Sequence, residues 1–560
     1  MKSLLEIEAD LTAPGGPFEC AEENVLGVPM SVFRDRLPSA RALLEASRAF
    51  GDAEHLVCGK KRLSFAAHLG EVSSVAEALR AHHGVRPGDR VAILAANSAE
   101  WVVTYWATIS LGAIAVGLNG WWSGDEIAYG VADCDPKVLV ADARRLERVD
   151  RATLGVPVVE IESEFEALRS HAPGALLSAA EIDEDDPATI LYTSGTTGRP
   201  KGAVLTHRAL VAAIRINLFH GIRMTLAAAQ AADAGGPQGG TPPQTCMLVS
   251  SPLFHISGLV NGAVMSLATG AKAVWLPGRF DPLRVMQVLE AERVTSWGPM
   301  GTMVYRVVNH PEVDRFDFSS VRNVGSGGAP VSAELQSRMR EVFRGAGASM
   351  GIGYGLTEST SMVAVGWGAE LADAPNTVGR PLPTIDLEIR DEADQPAPEG
   401  AEGEIHVRAP TLMREYWGRP DATAEAILPG RWLRTGDWGR LEAGRLYVNS
   451  RKRDLILRGG ENVYPAEIEH CLEALAEVEE AAVYGVAHEE FGQEVAAVVV
   501  PAAGAALCEE KLREWVASRL AYFKVPSRWE IRTEPLPRNA SGKVLKDVLK
   551  GAAENAFRDE

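Results

Sequence analysis

The residues best suited to chemistry stand in the run LYTSGTTGRPKGAVLTHRAL, Leu191 to Leu210. Thr193, Ser194, Thr196 and Thr197 carry hydroxyls, Gly195 and Gly198 leave the backbone bare, and Lys201 follows Pro200. Bare glycines let backbone N–H groups converge on one point, and hydroxyls add donors that carry no charge. Together they make a cradle for an anion, phosphate above all. A P-loop requires Gly directly before its Lys and Ser or Thr directly after. Pro200 and Gly202 hold those places, so that motif is excluded. A flexible linker is the plainer alternative, but the flanks ATILY and GAVLT read as strands and predict a hairpin-like clamp around the loop. A second stretch, GSGGAP at Gly325–Pro330, puts bare backbone at the end of a strand, where a flat ring could lie against peptide planes.

Elements must hold these loops. Strand-like runs (RVAILAA, KVLVAD, TCMLVSS, AKAVWLP, VRNVGSG) alternate with amphipathic stretches such as DPLRVMQVLEAERV. That alternation marks an α/β protein with mainly parallel sheets. From Leu387 the texture shifts to two strands around a Pro/Gly-rich turn, which predicts a β-rich subdomain. A boundary falls near Ser450–Asp454. Beyond it, Pro465 opens a helix whose Ile468, Cys471, Leu472 and Leu475 share one face, followed by two strands and a helix over Glu509–Leu520. The division is therefore 1–450 for a large N-terminal domain and 451–560 for a small α+β C-terminal domain. The tract 227–244, rich in Ala, Gly and Pro, reads as a mobile surface insertion without chemistry.

At 560 residues the chain exceeds one core. Its 56 basic and 75 acidic residues give a net charge of −19, which argues against nucleic acid or an anionic membrane as the main partner. Anionic ligands must then be held by local cations. Six scattered cysteines form neither CxxC pairs nor metal-ligand spacings with His, so a reducing cytoplasm is the natural home. Trp101–Trp122 is uncharged and long enough to span a bilayer. Gly112, Gly117 and Asn119 instead predict a buried helix that ends near Gly112 and passes into a buried strand, Ala113–Leu118.

YTSGTTGRPKG resembles the phosphate-binding signature of the adenylate-forming superfamily, which includes acyl-CoA synthetases, nonribosomal adenylation domains and beetle luciferases. The likeness runs from about Leu63 to Lys546, with further blocks in the family's order. It implies the adenylate-forming fold, with a mobile C-terminal domain, and a cofactor set of ATP, Mg2+ and coenzyme A. Thr193–Lys201 would grip phosphates, and Gly327, Gly328, Ala329 and Pro330 of GSGGAP would lie against the nucleotide. In GYGLTE, Tyr354 would stack on adenine, Thr357 would touch the α-phosphate and Glu358 would hold Mg2+, a cation that prefers hard oxygen ligands. Asp437 in WLRTGDWG would accept from both ribose hydroxyls, as a two-oxygen acceptor suits a vicinal diol.

The resemblance also makes Arg451 a ribose and phosphate contact, Arg453 the hinge and Lys543, in PRNASGKVLK, the lysine that reaches the α-phosphate. Gly459 and Gly460 would line a pantetheine tunnel. Ser450 stands where the family usually has Gly, and Arg453 where it often has Asp or Lys. In PLFHISGL, His255 replaces the Asp that nonribosomal domains use for an ammonium, so an acid without an α-amine is favoured. His255, Leu259, Trp297, Met300, Met303, Gly351 and Gly353 would line an apolar, partly small acyl pocket. A fatty acid fits best, an aromatic acid being the alternative. A carrier protein in place of free CoA, a luciferase-like monooxygenase and a non-catalytic nucleotide sensor are the rival readings, and a homodimer is compatible with the family.

Overall fold

Strands buried on both faces need helices on either side, and the apolar runs meet that demand. The structure is a computed structural model and describes residues 2–193, 199–231, 243–278, 280–299, 301–327, 331, 333–360, 362–451, 454–458, 461–488, 491–520, 522–538 and 544–551. One sheet has seven strands. Its parallel core, Pro187–Thr193, Ile114–Gly117, Arg90–Leu94, Val138–Ala141 and Val158–Glu160 in spatial order, is extended by the antiparallel Lys201–Thr206 and Glu415–Tyr416. A second sheet has nine. Six parallel strands run from Glu54–Cys58 through Lys272–Trp275, Cys246–Val249, Ser296–Trp297 and Asn323–Gly327 to Met350–Gly355. The strand Met362–Trp367 then returns antiparallel beside the last of them.

The β-rich subdomain is an antiparallel five-stranded sheet that includes Asp386–Arg390, Gly403–Arg408 and Trp432–Glu442. Its last strand, Arg445–Arg451, is followed from Ile456 by strands of a separate sheet. That sheet, with the helices Pro465–Glu473 and Glu509–Ala517, encloses Ile456, Ile468, Leu472, Val483, Val495 and Leu512. Each such side chain contributes about 1.5–3 kcal/mol on full burial. Cys471, expected on the same buried face, is only partly covered.

The uncharged segment behaves as its glycines require. Ser98 caps the helix Ala99–Ser110 by accepting from Trp101 N at 3.1 Å, and nearly every side chain of that helix is buried. Gly112, at φ +69°, turns the chain into the strand Ile114–Gly117. A different helix, His207–Ala231, is long and apolar enough to cross a membrane by length and composition, and 56% of its apolar window is buried inside the protein. The low-complexity tract needs correction at both ends. Residues up to Ala231 continue that helix. Gln244 donates to Glu54 O at 2.7 Å and Gly270 O at 2.8 Å, because a long amide can bridge a strand start and a helix cap. Positions 232–242 lie outside the described residues.

Candidate active site

The hairpin of the first sheet sets the ends of the loop expected to cradle a phosphate. Thr193 ends one strand and Lys201 starts the next, directly opposite in register. The helix Gly124–Cys134 braces both ends of the loop. Tyr129 donates to Pro200 O at 3.0 Å, while Asp133 accepts from Tyr192 OH at 2.8 Å and pairs with Arg419. Ser194, Gly195, Thr196, Thr197 and Gly198, the heart of the loop, lie outside the described residues.

Lys201 Nζ sits 5.4 Å from the ring centroid of Tyr416, and Tyr416 OH donates to Glu358 Oε1 at 2.8 Å. A cation over a ring whose hydroxyl meets a carboxylate joins two strands and a turn into one chain of polar contacts. Glu358 lies in the short turn Thr357–Ser359 after the strand Met350–Gly355, and its carbonyl accepts from Met413 N at 2.7 Å. On the same strand, Tyr354 donates its hydroxyl to Asp437 Oδ2 at 2.8 Å. Asp437 is opposite Arg451 in register. Gly327 pairs with Gly353, so two bare strand ends adjoin beside Tyr354.

A cleft of about 2020 Å³ has walls that include Thr193, Pro200, His255, Trp297, Met303, Gly327, Gly351, Gly353, Tyr354, Thr357 and Glu358. Tyr416 and Asp437 do not line it but reach it through Glu358 and Tyr354. From the C-terminal side, Asp454, Val544, Leu545, Lys546 and Asp547 complete it. The two stems flanking 539–543 are tied together. Leu545 N donates to Pro537 O at 2.7 Å, Arg538 pairs with Glu480 at 3.1 Å and Lys546 with Glu469 at 2.7 Å. Lys543, Arg453, Gly459, Gly460, Met300, Gly328, Ala329 and Pro330 lie outside the described residues.

The acyl side differs from expectation at two points. Leu259, placed in the pocket by sequence, is fully buried in a π-helical stretch, Leu259–Val264, and packs into the main core. The wider π turn rotates it off the cleft, whose wall there is formed by Asn261 and Met265. The room that Gly351 leaves is already taken, because a Cβ there would clash with Cε3 and Cζ3 of Trp367. His255 stands at the cleft against Phe254 (4.7 Å) and near Trp121 (6.3 Å), held by a loop that Asn97 fastens through Ser251 O and Leu253 N. Burial pushes its pKa down to about 4, so the imidazole is neutral and no counter-ion for an acid. Trp297 is fully buried, its indole donating to Ser250 Oγ at 3.2 Å.

Tyr129, Asp133, Tyr416, Arg419, His220 and Trp367 were not singled out by sequence. None sits in a signature run, and each acts through residues far along the chain.

Among the described residues no cluster of three His, Cys, Asp or Glu could hold an ion alone. Mg2+ usually takes one or two carboxylates and completes its shell with phosphate and water, so Glu358 beside Lys201 fits a metal brought with a nucleotide.

Comparison with known proteins points the same way. The AMP-binding enzyme family matches residues 43–417, and the AMP-binding enzyme C-terminal domain matches residues 467–543. A feruloyl-CoA synthase from Amycolatopsis sp is 35% identical over 493 residues, covering 88% of this chain and 94% of that protein. A long-chain-fatty-acid–CoA ligase from Bacillus subtilis is 30% identical over 546 residues, covering 90% and 93%. The structure of o-succinylbenzoate CoA synthetase from Bacillus subtilis with its acyl-adenylate intermediate superposes with TM-score 0.75 at 30% identity, covering 93% of this chain and 99% of that one.

Proposed function

Because the chain belongs to the AMP-binding enzyme family, as an AMP-forming acid–thiol ligase that uses ATP, Mg2+ and CoA, we propose how its own residues divide the work and which acid they take. A carboxylate is a poor acyl donor because oxide is a poor leaving group. Its attack on the α-phosphate of ATP expels pyrophosphate and leaves an acyl adenylate. The CoA thiol then displaces AMP.

Phosphoryl transfer asks the protein for position and charge stabilisation. Thr193 and Lys201 hold the outer phosphates from opposite strands of the hairpin. Glu358, oriented by Tyr416, holds the Mg2+, which offsets phosphate charge when bound. Tyr354 stacks on the base, while its hydroxyl orients Asp437 toward the ribose. Thr357 contacts the α-phosphate. Lys543 neutralises charge there, delivered by the stems at Arg538 and Val544. The single observation that carries this reading is the chain of contacts Lys201–Tyr416–Glu358, whose last member, Glu358, lines one cleft with Tyr354 and the C-terminal stem. Residues 451–560 act as a domain turning at Arg453 to bring Gly459 and Gly460 to the pantetheine arm.

For the acid, we propose an aromatic carboxylate, with a fatty acid as the second reading. The filled space beside Gly351 favours a shorter, flatter acid than a long alkyl chain. The feruloyl-CoA synthase supports the first reading and the Bacillus subtilis ligase the second. An acyl carrier protein is an alternative acceptor for the thioester step. A cytoplasmic location fits the six unpaired thiols.

The test is a panel of aryl and alkyl acids assayed for acid-dependent release of pyrophosphate and AMP, then for thioester with CoA against a holo-carrier protein. Release of ADP, or acid-independent turnover, would reject the mechanism.

A further inference from the structure

The inner end of the cleft is walled by the helix His207–Ala231, the π-helical turn and the strand Met362–Trp367, and there two ring nitrogens stand without partners. His220 and Trp367 both line the cleft, their rings meeting edge to face at 4.8 Å and 73°. His220 is 94% buried. Neither its Nε2 nor the Nε1 of Trp367 has a hydrogen-bond partner among the described residues.

The protonation of His220 follows from its neighbour. Arg223 Nη2 lies 3.1 Å from His220 Nδ1, and a guanidinium can only donate, so Nδ1 must accept. Arg223 is itself anchored by Glu8 of the helix Leu4–Thr12 at 2.8 Å. Burial and the Arg223 charge push the imidazole pKa down to about 3. The ring is therefore neutral and its single proton is on Nε2. Two N–H donors, one from each ring, thus sit unused in a desolvated wall, where an unmade hydrogen bond is costly. Close by, Asn261 adds an exposed amide to the same end of the cleft.

Trp367 also limits depth. It pairs in register with Gly351 across the antiparallel return, and the missing Cβ lets the indole lie over the neighbouring strand. Met362 covers Gly353 similarly, with Sδ 3.2 Å from where a Cβ would be. The acyl pocket is therefore closed by an aromatic stopper that carries polar hydrogens, a poor end for a methyl group.

We infer that the acid activated here carries a hydrogen-bond acceptor oxygen at the end remote from its carboxylate, received by the Nε2–H of His220 beside the indole of Trp367. This rests on the ligase reading above and narrows its substrate class. Glu8 and Arg223 are positioning residues that hold the donor tautomer. A site built to donate rejects an analogue that lacks the acceptor, because the donors are then left unpaired.

The experiment compares size-matched acids on the full chain by kcat/KM for pyrophosphate release: para-methoxycinnamate against para-ethylcinnamate, and a terminal keto-alkanoate against the plain alkanoate of equal length. The acceptor-bearing acid of the better scaffold should be preferred by about tenfold or more. His220→Phe should bring that preference close to one, His220→Gln, which keeps an N–H, should retain most of it, and Trp367→Ala should admit longer acids. Equal use of the matched acids by the wild-type protein would overturn the inference whether or not any variant folds. So would an undiminished preference in folded His220→Phe. Failure of every acid to release pyrophosphate would instead strike the ligase reading, and the inference would fall with it.

Discussion

Glu358 shows how a motif residue depends on one that carries no motif. Its carboxylate would meet a metal only if oriented, and the orienting group is Tyr416, 58 positions later. Glu358→Gln keeps the shape and removes the charge. It should lower kcat for adenylate formation by about 10²–10³, the usual cost of one preorganised electrostatic contact. Steady-state pyrophosphate release over a Mg2+ titration checks this, and an unchanged kcat would remove Glu358 from the metal. His255 illustrates the reverse case. Its place in the cleft was legible from PLFHISGL, but its neutrality comes from burial against Phe254 and Trp121. Leu259, three residues after Ile256, faces the core and not the cleft because side-chain direction along that stretch follows a π turn. Local spacing does not encode such a turn.

Two elements do work that their own sequences do not advertise. The helix Gly124–Cys134 holds both ends of the proposed phosphate loop through Tyr129 and Asp133, with Arg419 also on Asp133. Asp133→Asn removes the charge that Arg419 pairs with and loosens Tyr192. The KM for ATP should rise about tenfold, in line with a weakened hydrogen bond to a charged group. The KM for the acid should stay within about twofold. Initial-rate kinetics with each substrate varied separates the two, and equal rises would point to general unfolding.

In the C-terminal domain, the helix Pro465–Glu473 ends on Glu473. Burial, with Glu469 and Glu480 nearby and Arg538 opposing them, pushes its pKa up to about 8. The folded state keeps a proton that the unfolded chain releases above its ordinary value near 4.5. Stability from this group is therefore present at low pH and lost as pH rises toward about 8. Calorimetry of the full chain should show the transition of this domain falling across that window, and Glu473→Gln should flatten the fall.

At the scale of the whole molecule, the proposed mechanism has two bodies meet over one nucleotide and then part. The cleft is completed from the C-terminal side by Val544–Asp547, on stems tied to Glu480 and Glu469. Val544, at one end of the segment holding Lys543, lines the cleft, an arrangement that suits the proposed adenylating half-reaction. Lys543→Ala should then abolish acyl-adenylate formation yet still convert supplied acyl-AMP to thioester. Arg453→Pro should do the opposite, sparing adenylation and impairing thioester formation, because Pro restricts a backbone that must rotate. Quenched-flow assays of each half-reaction decide the matter, and parallel losses in both would reject a division of labour between the residues. With 75 acidic against 56 basic residues, the local cations at Lys201 and on the C-terminal side must attract ATP and CoA against the overall field.

Much of this was present in the order of residues. The hairpin around Lys201, the α/β alternation and the buried helix at Ala99–Ser110 depend on contacts within a few positions, where propensity, capping and glycine placement speak directly. The depth and polarity of the acyl end could not be read that way. Trp367 fills the space of Gly351 only because two strands run antiparallel, and His220 keeps its proton on Nε2 only because a helix more than two hundred positions earlier supplies Glu8 to hold Arg223. Packing between distant segments decides which volume a glycine opens and which nitrogen is left bare, and that decision is made in three dimensions.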